Sequence, residues 1–138
     1  MLVVDASVVV KALTREVGTE AARALIFSAD DILAPSLVTL EVAGALSKKV
    51  RYYGLPIDTA LTAMGALPEF ISEYVPTDTL IERSLRLSVH LSHAIQDCVY
   101  LALAIERNCI LATSDLKFAG KVRAGGLGLH LVIPGEPL

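Results

Sequence analysis

The sequence predicts an α/β fold in which a parallel β-sheet is sandwiched by α-helices in three layers. Three observations carry this prediction: short β-branched apolar runs, helical patterns between them, and no strand polar enough to keep one face wet. In chain order, Leu2-Val3-Val4 is the first run and is short enough for a buried strand. Thr19 to Ser28 follows with apolar residues at Ala22, Leu25 and Ile26, a helical stripe. Ile32-Leu33 is the second strand. Ser36 to Tyr53, Asp58 to Leu67 and Thr77 to Leu91 repeat the helical spacing, with Pro56 after Gly54 and Pro76 before Thr77 marking the restarts. Ile95 to Arg107 is apolar almost all round, as a helix buried inside a domain must be. Strands at Cys109 to Ala112 and Leu129 to Ile133 close the pattern, with a helix near Lys117 between them. The tail after Pro134 is expected to be loose. Gly44-Ala45 and Met64-Gly65-Ala66 are read as points of close helix packing.

A chain of 138 residues, 54% hydrophobic and 20% charged, is too apolar to be disordered, and its length predicts one domain spanning residues 1–138. Its mean hydropathy of +0.59 raises the question of a membrane. The longest uncharged stretch, Ala124 to Gly135, is glycine-broken and shorter than the ~18 residues a spanning helix needs, so no membrane association is expected. The N-terminus MLVVDASVVVK has no basic leader and carries Asp5 inside its apolar run, which points to the cytoplasm. Cys98 and Cys109 lack CxxC spacing and read as reduced thiols rather than a disulfide or zinc site.

Net charge is −3, with 12 Lys+Arg against 15 Asp+Glu, so no strongly basic footprint exists. Most of the acids fall where solvent is expected. Four do not: Asp5 is the only charged residue from 1 to 10, Glu41 from 32 to 47, Asp97 from 87 to 105, and Asp115 from 108 to 116. A lone carboxylate in apolar surroundings costs several kcal/mol unless it is paired, protonated or bound to a cation. Asp5 and Asp115 follow predicted strands, and open α/β sheets place their sites at the carboxyl ends of strands. Glu41 lies about one turn into its helix and Asp97 in the first turn of another, so all four can converge. Helix capping explains Asp5 or Asp97 singly, and a turn explains Asp115, but neither accounts for Glu41 or for the joint placement.

Converging carboxylates repel one another and call for divalent cations, and hard oxygen ligands suit Mg²⁺ or Mn²⁺, one ion or two. No His or Cys lies near enough in sequence to suggest zinc. The chemistry such a set permits is phosphodiester hydrolysis, with one ion activating water and a second stabilising the leaving oxygen. Ser7 and Thr113 could hold a water or a phosphate there, or act as plain caps. The sequence argues against a phosphoryl-transfer switch, because Asp5-Ala6-Ser7 lacks the second acid of a DxD nucleophile motif.

The segments VVDASVVVK, LVTLEVAGALSKK, HAIQDCVYLALAIERN and ILATSDLKF resemble, in order and spacing from Leu2 to Phe118, the motif regions of PIN-domain ribonucleases, specifically VapC-type toxins. The resemblance implies Mg²⁺- or Mn²⁺-dependent endonucleolytic cleavage of RNA, with Asp5, Glu41, Asp97 and Asp115 as metal ligands supported by Thr113 and Ser7. It further implies a homodimer and a VapB-type antitoxin partner. Ser114 between Thr113 and Asp115, and Gln96-Asp97-Cys98, depart from the family's commoner strings without removing a carboxylate. A non-toxin PIN nuclease or a catalytically silent PIN-like module is the alternative. For RNA contact, Lys48, Lys49 and Arg51 beside Tyr52 and Tyr53 combine charge with stacking faces, and Lys117 flanks Asp115. Lys11, Arg15, Lys121 and Arg123 are further basic neighbours of the motifs. His90 and His93 are assigned surface or core roles.

Overall fold

A computed structural model describes residues 1–137. Five strands, β1 (Leu2–Val4), β2 (Ile32–Pro35), β3 (Glu73–Val75), β4 (Ile110–Ala112) and β5 (Leu131–Val132), form one sheet in the order β3-β2-β1-β4-β5. Every neighbouring pair is parallel, with Leu2 aligned to Ile32 on one side and to Ile110 on the other. All residues of β1 and β2 are buried, as expected of strands covered on both faces. The helices α1 (Ala6–Leu13), α2 (Thr19–Ser28), α3 (Leu37–Tyr53), α4 (Ile57–Phe70), α5 (Ile81–Leu91), α6 (Ile95–Glu106) and α7 (Leu116–Ala124) complete the three-layer α/β/α arrangement.

The chain leaves β1 toward β2 and β3, then returns to the other flank for β4 and β5. The strand order therefore reverses between β1 and β4, and the crevice outside their carboxyl ends is where open sheets bind ligands. α1, α3 and α7 start at that edge because each follows a strand within a few residues. α6 starts there for the opposite reason, since it delivers the chain to the amino end of β4.

Local chemistry explains these elements. α1 holds three consecutive valines, poor helix formers, yet Val8, Val9, Val10 and Ala12 are buried, so packing overrides propensity. α6 is buried at every position from Cys98 to Ala104 and packs on β1, β2 and β4. Leu103→Ala is expected to cost about 2–5 kcal/mol through the cavity it leaves, checked by urea unfolding.

Some boundaries differ from the sequence reading. β3 carries two exposed residues out of three and no apolar run, so it had no sequence signature. Its place at the sheet edge is clamped by Arg107, whose guanidinium meets both carboxylate oxygens of Glu73. The segment at Thr77 opens as a 3₁₀ turn, Thr77–Leu80, before α5. Only Leu131–Val132 of the last apolar run is strand, because Gly128–His130 forms a 3₁₀ turn and leaves Leu129 92% exposed. The tail is tied down as far as Glu136, whose N–H donates to Ile133 O and whose carboxylate pairs with Arg123 at 2.8 Å. Leu138 lies outside the described residues. Gly44 and Gly65 face open space, so they mediate no close helix packing. Cys98 and Cys109 are unpaired thiols, the first buried and the second half-buried. Among the described residues, no helix is long and apolar enough to cross a membrane.

Candidate metal centre

Asp5 leaves β1 in an extended conformation and caps α1. Its Oδ1 accepts the Val8 N–H at 3.1 Å and the Ser7 hydroxyl at 2.5 Å. Asp115 does the same one strand over, leaving β4 and accepting the Phe118 N–H on Oδ1 at 3.0 Å to cap α7. The two caps are stitched together, since the Ser114 N–H donates to Ser7 Oγ at 2.9 Å across the β1–β4 crevice. Thr113 is fully buried, its hydroxyl accepting the Asp115 N–H and bonding the Asp5 carboxyl. Neither Ser7 nor Thr113 is left free to seat a phosphate alone, as the sequence reading allowed; both hydroxyls hold the acids in place.

Asp97 lies in the first turn of α6, but Ala94 and not Asp97 occupies the cap position. Its Oδ2 is 2.5 Å from His93 Nε2. Glu41 projects from the second turn of α3, and its Oε1 accepts the Tyr100 hydroxyl of α6 at 2.6 Å. That buried phenol is the partner for Glu41 that sequence reasoning did not find, because fifty-nine positions separate the two residues.

A pattern runs through the site. Glu41, Asp97 and Asp115 each commit one carboxylate oxygen to an internal contact and leave the second without a protein donor among the described residues. No side-chain polar atom is buried without a partner there, so the free oxygens face solvent. Asp5, Glu41 and Asp115 pair with no Lys or Arg among the described residues. Burial pushes the Asp5 carboxyl up to about 6, against the hydrogen bonds from Ser7, Thr113 and Val8, and the Asp97 charge adds to the rise. Burial also raises Glu41, with the Tyr100 bond opposing and Asp97 again adding. The Tyr100 hydroxyl is held far above its ordinary range by burial and by Glu41, so it remains a donor.

Carboxylates fixed by one oxygen, open by the other and repelling one another form a donor set that fits a hard divalent cation. The four acids are not equivalent in space. Ligand atoms of His93, Asp97 and Asp115 lie within 4.8 Å of one another, whereas Asp5 and Glu41 stand outside that group and reach it through the Asp97 charge. The absence of a nearby histidine, expected from sequence, is thus corrected: His93 is in the site, one helical turn before Asp97. The i, i+4 spacing of His93 and Asp97 is the signal that could have found it. His90 is exposed and hydrogen-bonds Gly125 O, in keeping with a surface role.

The basic candidates scatter. Lys48, Arg51 and Lys117 are exposed, and the Arg51 guanidinium stacks 4.8 Å from the centre of the Tyr52 ring. Lys49 is half-buried and paired with Glu16 at 2.7 Å, which removes much of its free charge. A cavity of about 580 Å³ lined by Arg15, Glu16, Thr19 and Arg23 includes none of the four acids, which lie instead along the open sheet edge.

Comparison with protein families matches the PIN domain over residues 2–123, most of the chain. The chain belongs to the PIN domain family, whose members are generally metal-dependent nucleases, hydrolases of phosphodiester bonds. Comparison with curated proteins finds no match.

Because Tyr100 holds Glu41 without facing solvent, Tyr100→Phe is expected to weaken divalent-ion binding about 10-fold while the fold survives. Calorimetric titration with Mn²⁺ beside circular dichroism checks both parts.

Proposed function

We propose that the protein is a Mg²⁺- or Mn²⁺-dependent endoribonuclease and the toxin of a VapBC-type pair. The observation that carries the reading is the set of acids at the carboxyl edge of the sheet: Asp97 and Asp115 stand close together with His93, Asp5 and Glu41 lie within reach of the Asp97 charge, and three of the four are open by one oxygen. These four side chains would hold the ion or ions. When bound, a divalent cation supplies Lewis acidity and neutralises charge at the scissile phosphodiester. Ser7 and Thr113 fix the Asp5 and Asp115 strand ends against each other, so the donor set is rigid before substrate arrives. An open edge rather than an enclosed cavity admits a polymer.

RNA would run from this edge past Lys117 and along α3, where Lys48 and Arg51 stand ~10–15 Å beyond Glu41 at the rise of an α-helix. Arg51 with Tyr52 offers a charged and stacking surface there, while Lys49 contributes less because Glu16 holds it. A homodimer is supported by the exposed apolar stripe Ile81, Leu85 and Val89 on α5. A VapB-type antitoxin is supported by a second apolar feature, the groove between α3 and α4 lined by Ala43, Leu46, Val50, Ile57, Leu61 and Met64. The cytoplasm is where such a pair would act.

Induced expression tests the toxin reading. Wild type is expected to arrest growth with loss of cellular RNA, and Glu41→Gln to permit growth at the same protein level. Arrest by both forms, or by neither, contradicts it.

A further inference from the structure

His93 lies in the short turn between α5 and α6 and is unusually well anchored for a turn residue. Ser92 ends α5 in the left-handed region at φ 50°, which reverses the chain. The His93 N–H donates to Ser88 O at 3.1 Å, and the Ser88 hydroxyl donates back to His93 O. Its ring packs on Phe118 of α7, 4.8 Å between centroids, and the side chain is only 10% exposed. Three attachments, to α5, α6 and α7, aim Nε2 at the acids.

We propose that His93 Nε2 is a nitrogen ligand to a divalent ion held jointly with Asp97 and Asp115, so that the centre takes Mn²⁺ in preference to Mg²⁺. This rests on the reading of the acid cluster as a metal-dependent nuclease centre and names its ion. Two donors on one such ion stand at most ~4.2 Å apart when each bond is ~2.1 Å. Atoms already within 4.8 Å of one another need only small side-chain rotations to meet that limit. In the ion-free protein, Nε2–H donates to Asp97 Oδ2. Ligation uses the Nε2 lone pair, so in the loaded protein the ring carries its proton on Nδ1 and the Nε2 hydrogen bond to Asp97 is given up. Mg²⁺ is bound through oxygen, whereas imidazole suits first-row transition ions, and a mixed nitrogen and carboxylate set therefore discriminates between them.

The test uses His93→Gln, whose amide can still donate to Asp97 but cannot act as an imidazole ligand. Pulsed electron paramagnetic resonance of the Mn²⁺-loaded wild type is expected to show nitrogen coupling, and the variant to lack it. Loss of an outer-sphere partner already costs ~10–100-fold in metal affinity, so loss of a ligand should lower Mn²⁺ affinity by about 10-fold or more. Mg²⁺ affinity should fall much less. The wild-type spectrum needs no variant, so the assignment stands or falls even if His93→Gln misfolds. Absence of nitrogen coupling in Mn²⁺-loaded wild type, its persistence in the variant, or an equal loss for both ions overturns the assignment and leaves the nuclease reading intact. Failure of wild type to bind either ion overturns both.

Discussion

Asp5→Asn is expected to stabilise the ion-free protein at pH 7.5 by about 3 kcal/mol, although Asp5 caps a helix at the heart of the site. The sign follows from burial. The folded carboxyl titrates at about 6 against an ordinary value of 3.8, so between these values the native state holds a proton that the unfolded chain has released. Stability therefore falls as pH rises through that window, and the full penalty is present at neutral pH. Below pH 3.8 the penalty vanishes. Asparagine keeps an oxygen to accept the Val8 N–H and the Ser7 hydroxyl, yet carries no charge to bury. Thermal unfolding of both forms from pH 4 to 8 in chelator is the check: wild type should lose stability toward neutrality through this group, and the variant should not. Saturating Mn²⁺ should raise the stability of wild type more than that of the variant, because it also neutralises the Asp5 charge. Parallel pH curves for the two proteins would show that Asp5 is not a strained charge.

Asp97→Asn should lower RNA cleavage by on the order of 10²–10³-fold or more, the scale seen when one element of transition-state electrostatics is removed. Asp97 is the hub of the cluster: its charge acts on Asp5, Glu41 and Tyr100, and its carboxylate touches His93. The substitution removes a ligand oxygen and also relieves two like-charge repulsions. Activity should collapse while the ion-free fold becomes no weaker, and a second readout, the Asp5 titration followed by NMR, should move downward. Loss of activity together with loss of helicity would instead assign Asp97 a structural role.

What the sequence revealed depended on how local each signal was. β1, β2 and β4 announce themselves as unbroken apolar runs because both faces are covered, and α6 does so because it is buried all round. β3 stayed hidden because it is an edge strand, held by pairing with β2 and by Arg107 rather than by its own hydrophobicity. The four acids were legible through their isolation from other charges. Their environment was not: Tyr100 reaches Glu41 from another helix, and Ser114 N–H reaches Ser7 from another strand. His93 was visible as a residue four positions before Asp97, but its role depends on the α5–α6 turn and on Phe118. Asp97 was read as a potential cap and proved to lie inside the first turn, where its carboxylate is free to face the other acids.

The most direct test of the account is cleavage of a circular single-stranded RNA by purified protein in Mn²⁺, in Mg²⁺ and in excess chelator. A circle has no ends, so only an endonuclease can open it. Linear product is expected with either ion, none in chelator, and none from Asp97→Asn at matched concentration. Linear product in chelator, or an equal yield from Asp97→Asn, would contradict the claim that these carboxylates and a divalent ion act as one hydrolytic site.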